Sequence, residues 1–456
     1  MGMDGPRFDR HSEAGNRGRY QDQPIPRRAG RPLDGSSMGR FRLILAATAV
    51  LWLSACSPKP EAEFVTSVPW GLTGGTVVLD GHSHTRFSDG ALSPQELATE
   101  ALLNGCGALA ITDHGDLWAH AATPEYFAAI DEARKQHPGL ILLAGMEWNI
   151  PPYGGREHVT ILLDPALERA VLPDFKAKFE QKEARPEEAL AWLAQQTQNT
   201  DRVVLIYNHP SRRDLDPEEN FSDLLKWNAS QPLFIGFEGA PGHQRAPSPG
   251  DYGKTFPTEG RWDPVVAQIG GVWDRLLDAG YNVWGAVAVS DYHAERLDFP
   301  PCSFARTHLR VPQRDHQGVL LALRAGSFWA GHGGILEDLT FVGVASGLPL
   351  PATPGEAVRL SSSARPIFRV KIKRGRNADG IPLTVELIGN GRSGMPERVA
   401  VRELSPTEDT FDWQPDRVVP GADGRSAYFR VRVVARKSPE GALAAYSNPI
   451  RLVLER

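Results

Sequence analysis

The chain has 456 residues, of which 41% are hydrophobic and 23% charged, with a formal net charge of −5. That length allows two or three domains with ordinary cores, and the mildly acidic balance excludes the strong basic field used to hold nucleic acid or anionic lipid. Three cysteines make neither a disulfide framework nor a zinc-finger spacing, whereas several of the 13 histidines fall at the ends of apolar runs.

Residues 1–37 are rich in Arg, Gly, Pro, Asp and Ser without apolar periodicity, and read as a disordered extension or as sequence upstream of the true start. Met38 begins a second pattern. Arg40 and Arg42 precede the apolar run Leu43–Leu53, and Leu53-Ser54-Ala55-Cys56 closes it. The run is too short to span a bilayer comfortably, and it resembles a bacterial lipoprotein signal over 38–56 with Cys56 as the lipidated residue. This implies a protein held in the cell envelope through a lipid anchor: on the periplasmic side of the outer or inner membrane in a Gram-negative cell, otherwise at the cell surface. Residues 57–75 read as a linker. Cys106 and Cys302 are expected as small buried residues rather than nucleophiles.

From Thr76 short apolar runs alternate with amphipathic segments. The runs Val77–Asp80, Ala108–Thr112, Leu140–Ala144, His158–Leu163, Val203–Tyr207, Leu233–Phe237 and Val283–Val289 suit strands covered on both faces. Ser93-Pro94-Gln95-Glu96 predicts a capped helix start, and Thr123-Pro124, Pro186 and Asp263-Pro264 predict others. The seven strand and helix units predict a mostly parallel sheet closed as a barrel over 76–344. Beyond residue 345 the period becomes two, as in Phe368, Val370 and Ile372 and in Phe429, Val431 and Val433. That change predicts an all-β, sandwich-like domain over 345–456.

Histidines and carboxylates cluster at the run ends. The runs lead into His82, His84 and Asp89, then His114, Glu147, His209, and Asp291 with His293, while His158 opens its run instead of closing it. In a parallel barrel the strand C-termini share one rim, so segments distant in sequence deliver their donors to one place. Imidazole and carboxylate together suit zinc, manganese or iron, and a two-oxygen carboxylate such as Glu147 can bridge two ions.

The segments Asp80-Gly81-His82-Ser83-His84-Thr85 with Ser88-Asp89-Gly90, Ile111-Thr112-Asp113-His114, Glu147 with His158, Asn208-His209-Pro210 and Ser290-Asp291-Tyr292-His293 resemble the motifs of the PHP (polymerase and histidinol phosphatase) family over roughly 76–340. The resemblance implies a distorted seven-stranded barrel and two or three divalent ions. By it, His82, His84, Glu147, His158 and Asp291 serve a pair of ions completed by Asp89 and His293, and His114, Glu147 and His209 hold the third. Within the family, Trp273-Asp274-Arg275-Leu276-Leu277 and the tail Tyr428–Val433 with Ala445–Ile450 resemble the carbaryl hydrolase-like branch. Ala330-Gly331-His332-Gly333-Gly334 departs from that branch's turn.

The leading expectation is a phosphoesterase that uses a metal-bridging hydroxide at a di- or trinuclear site, with Asp291, His209 and Arg212 as catalytic residues. Arg212 and Arg213 are candidates for a phosphate oxygen, with Arg306 and His332 as weaker substrate contacts. Glu238 and Asp113 are candidates to orient ligands, and the Gly242–Arg261 insertion reads as a lid or a surface loop. Two alternatives keep the same donors: hydrolysis of a carbamate or carboxylic ester, and a non-enzymatic, lipid-anchored metal-binding module. The expected partner is a small-molecule ester, with no nucleic acid.

Overall fold

The computed structural model describes residues 61–182, 185–198, 200–213, 216–230, 232–252, 258, 260–438 and 441–455. The expected extension 1–37, the signal segment 38–56 with the lipidation site Cys56, and residues 57–60 of the linker lie outside the described residues. Among the described residues no helix is long and apolar enough to cross a membrane.

Strand β1 (Ala62–Thr66) precedes an alternating series: β2 (Gly75–Asp80), α1 (Pro94–Leu103), β3 (Ala108–Ile111), α2 (Pro124–Gln136), β4 (Ile141–Asn149), β5 (His158–Leu163), α3 (Pro165–Phe179), α4 (Pro186–Thr197), β6 (Val203–Tyr207), α5 (Pro217–Ser230), β7 (Phe234–Ala240), α6 (Pro264–Ala267), α7 (Val272–Asp278), β8 (Trp284–Ala288), β9 (Ala305–Val311), α8 (His316–Ala325) and β10 (Phe328–His332). The helices start where their sequences direct. Ser93 and Glu96 form a reciprocal capping box ahead of Pro94, satisfying two backbone donors that a helix end leaves bare. Thr123 and Asp263 cap α2 and α6 with their side chains. Helix α4 starts on Pro186 without a side-chain cap.

All seven expected strands form. They do not close into a barrel. The sheet is an open path, and the outer edge of β2 is taken by antiparallel β9, a strand whose apolar run was not singled out above. The gap between β8 and β2 is crossed past the strand ends by an isolated Ser83–Tyr292 bridge. There His84 N donates to Tyr292 O at 2.9 Å and Asp291 N to His82 O at 2.9 Å. Periodicity locates buried strands but carries no information about which edges meet.

Strand direction also departs from a uniform parallel set. Strands β2–β3, β3–β4, β6–β7 and β7–β8 pair in parallel, whereas β5 runs antiparallel to both β4 and β6. This reversal accounts for His158. The first residue of β5 pairs with Asn149 at the end of β4, so it lies on the same rim as the residues that end the other strands.

The C-terminal region is β-rich: β11 (Leu336–Val344), β12 (Ala357–Leu360), β13 (Ile367–Arg374), β14 (Leu383–Asn390), β15 (Pro396–Leu404), β16 (Thr410–Trp413), β17 (Ser426–Ser438), β18 (Gly441–Ser447) and β19 (Ile450–Leu454). Strands β11, β13 and β16 form a separate three-stranded sheet, and the others continue the large one. Hydrogen bonding runs across residue 345, because β10 pairs with β9 on one side and β18 on the other. Strand β1, within the expected 57–75 linker, pairs with β12. Between the two sheets Phe368 packs on Phe341 and Phe429, with ring centroids 5.8 and 4.6 Å apart.

Helix α7 joins the C-terminal strands through buried charge. Arg430 of β17 donates to both oxygens of Asp274, at 2.7 and 3.0 Å, and lies 4.3 Å over the Trp273 ring. The bidentate pair matches the two buried charges through Nε and Nη2, while the buried Nη1 has no hydrogen-bond partner. Asn448 accepts from Ala286 N of β8 and donates to Gly326 O and Phe328 O. The two segments resembling the carbaryl hydrolase-like branch therefore meet in space. The cysteines need a correction: Cys106 and Cys302 are joined in a disulfide with Cα atoms 5.6 Å apart, closing a separation of 196 residues. Counting cysteines does not reveal that two distant ones meet.

Candidate metal centre

The rim collects its donors by simple local rules. The β3–β4 ladder extends past its ends through an isolated His114–Glu147 bridge, which sets those side chains next to each other. The segments after β2 and β8 are tied by the backbone bonds given above, so His82, His84, Asp291 and His293 come together. His158 enters from the reversed strand β5, and His209 follows β6.

At the centre, His82 Nε2 lies 3.0 Å from His84 Nε2, 3.2 Å from Glu147 Oε1 and 3.3 Å from Asp291 Oδ1. His84 Nε2 lies 3.4 Å from Glu147 Oε2 and 3.2 Å from Asp291 Oδ1. Donors bonded at roughly 2.0–2.1 Å to one tetrahedral ion stand about 3.3 Å apart, so this spacing fits a shared cation. Two imidazole nitrogens at 3.0 Å, flanked by two carboxylates, are a donor set that could hold a metal ion. Glu147 Oε1 also lies 3.0 Å from His158 Nδ1 and 3.2 Å from His209 Nε2. Asp89 Oδ2 lies 3.4 Å from His114 Nε2 and 3.5 Å from His293 Nε2.

The nine expected donors are thus brought together on one rim. Asp89 gathers His114 and His293, whereas His158 and His209 meet on Glu147. His114 is not isolated from Glu147, since its Nδ1 lies 2.8 Å from Oε2.

The groups on the rim shift one another's ionisation strongly. Burial, reinforced by His293 and His114, lowers His84 to about 3, leaving a neutral imidazole with one ring nitrogen able to offer a lone pair. Burial opposes ionisation of Glu147, yet His158, His82 and His114 hold it well below the carboxylate range. Asp291 is likewise depressed against burial by His82, Arg212 and His293. His114 is pushed to about 11 against burial by Glu147 and Asp89, and His293 to about 9 against burial by Asp291, Asp298 and Asp89. Protons here stand where cations could stand.

The backbone is strained at two donors: His209 has φ 30° and Asp291 φ 44°, conformations costing about 1–3 kcal/mol each and maintained only where surroundings hold them. Glu238, at the end of β7, does so directly. Its Oε2 accepts from His209 N at 3.0 Å and its Oε1 meets His82 Nδ1 at 2.7 Å, the carboxylate–imidazole arrangement that orients a metal ligand. Asp113 reaches His84 through Ser88: Ser88 Oγ donates to Asp113 at 2.6 Å and lies 3.3 Å from His84 Nδ1.

Arg212 and Arg213 differ from each other. Arg212 Nη1 pairs with Asp291 Oδ2 at 2.7 Å, and its buried Nη2 has no hydrogen-bond partner. Arg213 is more exposed and pairs with Glu157 at 2.9 Å. Both line the cavity at the rim, with His114, Glu147, His158, His209, Asp291 and His293. Arg306 and His332 lie outside that lining. Arg306 Nε donates to Cys302 O at 2.5 Å, and His332 is buried between Trp262 and Phe304, with centroids 5.5 and 4.9 Å away.

Sequence reasoning missed Glu157, His243 and Asp298. Glu157 Oε2 meets His209 Nδ1 at 2.9 Å, and its place directly before His158 was the available signal. His243, in the Gly242–Arg261 insertion, lines the cavity, with Nδ1 2.8 Å from Asp298 Oδ1. Asp298 also accepts from His293 N at 2.8 Å. Nothing in the local sequence marked either of these two.

Residues 80–226 match the PHP domain family. This segment is a PHP domain. It carries His82, His84, Asp89, His114, Glu147, His158 and His209, and the fold adds Asp291 and His293 from beyond it. Similar proteins include a "probable phosphatase" of Acetivibrio thermocellus, 39% identical over 79 residues, covering 17% of this chain and 33% of that protein. Another is the 5'-3' exoribonuclease Rnm of Salmonella typhimurium, 34% identical over 114 residues, covering 25% and 36%. The chain spans about a third of the length of the curated relatives it matches. A solved two-domain protein from Bacteroides vulgatus, described as containing a predicted PHP-like metal-dependent phosphoesterase, aligns over 85% of this chain and 98% of its own, at 16% identity and a TM-score of 0.42.

Proposed function

We propose that this PHP-domain chain is a metal-dependent phosphoesterase. The observation that carries the reading is that His82 Nε2 and His84 Nε2, 3.0 Å apart, each lie 3.2–3.4 Å from an oxygen of Glu147 and of Asp291, beside the Arg212 guanidinium. In this reading His82, His84, Glu147 and Asp291 hold one divalent ion, Glu147, His158 and His209 a second, and Asp89, His114 and His293 a third, with zinc, manganese or iron as the native metal. Such ions, when bound, supply Lewis-acid activation of the ester and of the attacking water.

The protein's own groups do the rest. Arg212 Nη2 is placed to donate to a phosphoryl oxygen and to stabilise charge that grows on it. Its pairing with Asp291 keeps the guanidinium oriented before substrate arrives. Glu238 and Glu157 fix the rings of His82 and His209. His243, from the Gly242–Arg261 insertion, lines the cavity beside His293.

A second reading, carbamate or carboxylic ester hydrolysis, is supported by the packing of Trp273-Asp274 against Arg430, which unites the segments resembling the carbaryl hydrolase-like branch. Export as a lipoprotein anchored at Cys56 belongs to the same proposal, and a disulfide suits an oxidising envelope compartment. Purified protein stripped with chelator and reloaded with zinc, manganese or iron, then assayed on aryl phosphates and aryl carbamates, separates the readings. Phosphate turnover that returns with metal supports the first, and carbamate turnover alone overturns it.

A further inference from the structure

His209 and Arg212 belong to one tight turn, Arg212 N donating to His209 O at 3.1 Å, and that turn is strained at His209. Something outside it must hold it. Glu238 holds its first residue. Its middle is held by Asp263, which is fully buried: Ser211 N donates to Asp263 Oδ2 at 3.0 Å and Ser211 Oγ to Asp263 Oδ1 at 2.6 Å. Both carboxylate oxygens are therefore directed at a single residue of the turn, while Oδ1 also caps α6 through Val265 N at 2.9 Å.

Asp263 is in turn placed from two sides. Its own N–H donates to Gly239 O at 2.7 Å. Gly239 must lack a side chain, because a Cβ there would sit 2.1 Å from Gly285 O and 2.8 Å from the Trp262 ring. The other side is Trp262, also fully buried. Its Nε1–H donates to Ala444 O of β18 at 3.0 Å, and its ring lies 4.3 Å from that of Tyr446. An unbroken chain of contacts thus leads from the C-terminal strand β18 through Trp262, Asp263 and Ser211 to the turn that carries His209 and Arg212.

We propose that Asp263 is a positioning residue for the His209–Arg212 turn and that β18, through Trp262, sets its place, so that the C-terminal region is part of the scaffold of the metal centre. This rests on the reading of His209 as a metal ligand. Groups that orient ligands from behind are worth roughly 10–100-fold in metal affinity, and a strained turn released from its support relaxes away from the ligand geometry.

The test is chelator competition for zinc on the full chain, with thermal melting alongside, comparing wild type with Ser211→Ala, Asp263→Asn, Trp262→Phe and Trp273→Phe. Trp273→Phe is the control: it removes a similarly buried indole donor, bonded to Val283 O at 3.0 Å, at the same C-terminal interface but away from the turn. The expected result is a loss of roughly 10-fold or more in the affinity of one zinc step in Asp263→Asn. Smaller losses at the same step are expected in Ser211→Ala and Trp262→Phe, with none in Trp273→Phe even where its melting temperature falls as far. Zinc affinities that track melting temperature across all four variants, or that equal wild type in Asp263→Asn, would overturn the proposal. Zinc binding is read without turnover, so a protein that binds zinc normally but cleaves no phosphate ester defeats the functional reading and leaves this one standing.

Discussion

Two buried polar assemblies lie in this molecule and they are built on opposite principles. Where α7 meets β17, Arg430 meets both oxygens of Asp274, and between β17 and β14 Arg432 Nε meets Glu386 Oε2 at 2.6 Å. At the rim, carboxylates and imidazoles aim several donor atoms at common points. Buried charge that is matched in pairs is architecture, and its value lies in where it fixes the chain. Buried lone pairs that converge could hold a cation. The same helix-and-strand chemistry makes both, so the difference is in the aim of the side chains and not in their burial.

The comparison breaks most decisively at Glu147. Glu147→Ala removes the carboxylate shared by two groupings and should lower metal affinity by more than roughly 100-fold, the upper range for outer partners alone, as measured by chelator competition. An equivalent cut in the other assembly should act on stability instead. Arg430→Ala leaves Asp274 buried and unpaired, at a cost of about 3–5 kcal/mol in chemical denaturation, whereas replacing both partners with apolar residues of similar volume should cost much less. If Arg430→Ala strips metal without destabilising the fold, the division between the two assemblies is wrong.

The motifs at the strand ends were legible in the sequence because a ligand set needs particular residue types at particular places. The seven strands and the cap at Ser93 were legible from periodicity and turn chemistry. What was not legible depends on pairing in space. The open edge of β2, the reversal of β5 that returns His158 to the rim, the Cys106–Cys302 link and the seating of Asp298 behind His243 all join residues that local patterns treat separately. The role of Trp262 has no local signal, because its partner Ala444 contributes only a backbone carbonyl.

Smaller effects sharpen the contrast. Replacing Cys106 and Cys302 together with serine should lower stability by about 2–5 kcal/mol, read by denaturation, while sparing metal stoichiometry at saturating zinc. Arg212→Ala should lower kcat/KM for an aryl phosphate by roughly 10–100-fold, the range of a charge-assisted hydrogen bond, and an aryl carbamate should be affected less. Equal losses on both substrates would remove Arg212 from phosphate recognition.

The smallest effect is in pH. Burial, with Asp116 nearby, raises Glu180 from 4.5 to about 7 despite its bonds from Asn149. A raised carboxyl holds its proton in the fold when the unfolded chain has lost it. Stability therefore falls as pH rises from 4.5 to about 7. Glu180→Gln should flatten that fall, by no more than about 3 kcal/mol, in denaturation curves taken at pH 5 and pH 8.

The most direct measurement is the metal-to-protein ratio of the purified chain, by elemental analysis after chelation and reloading, with wild type beside a His84→Ala variant. More than one tightly held divalent ion per wild-type chain, with at least one lost in the variant, is the result this arrangement predicts. A wild-type chain that retains no divalent metal at any step, with its fold intact, would contradict it.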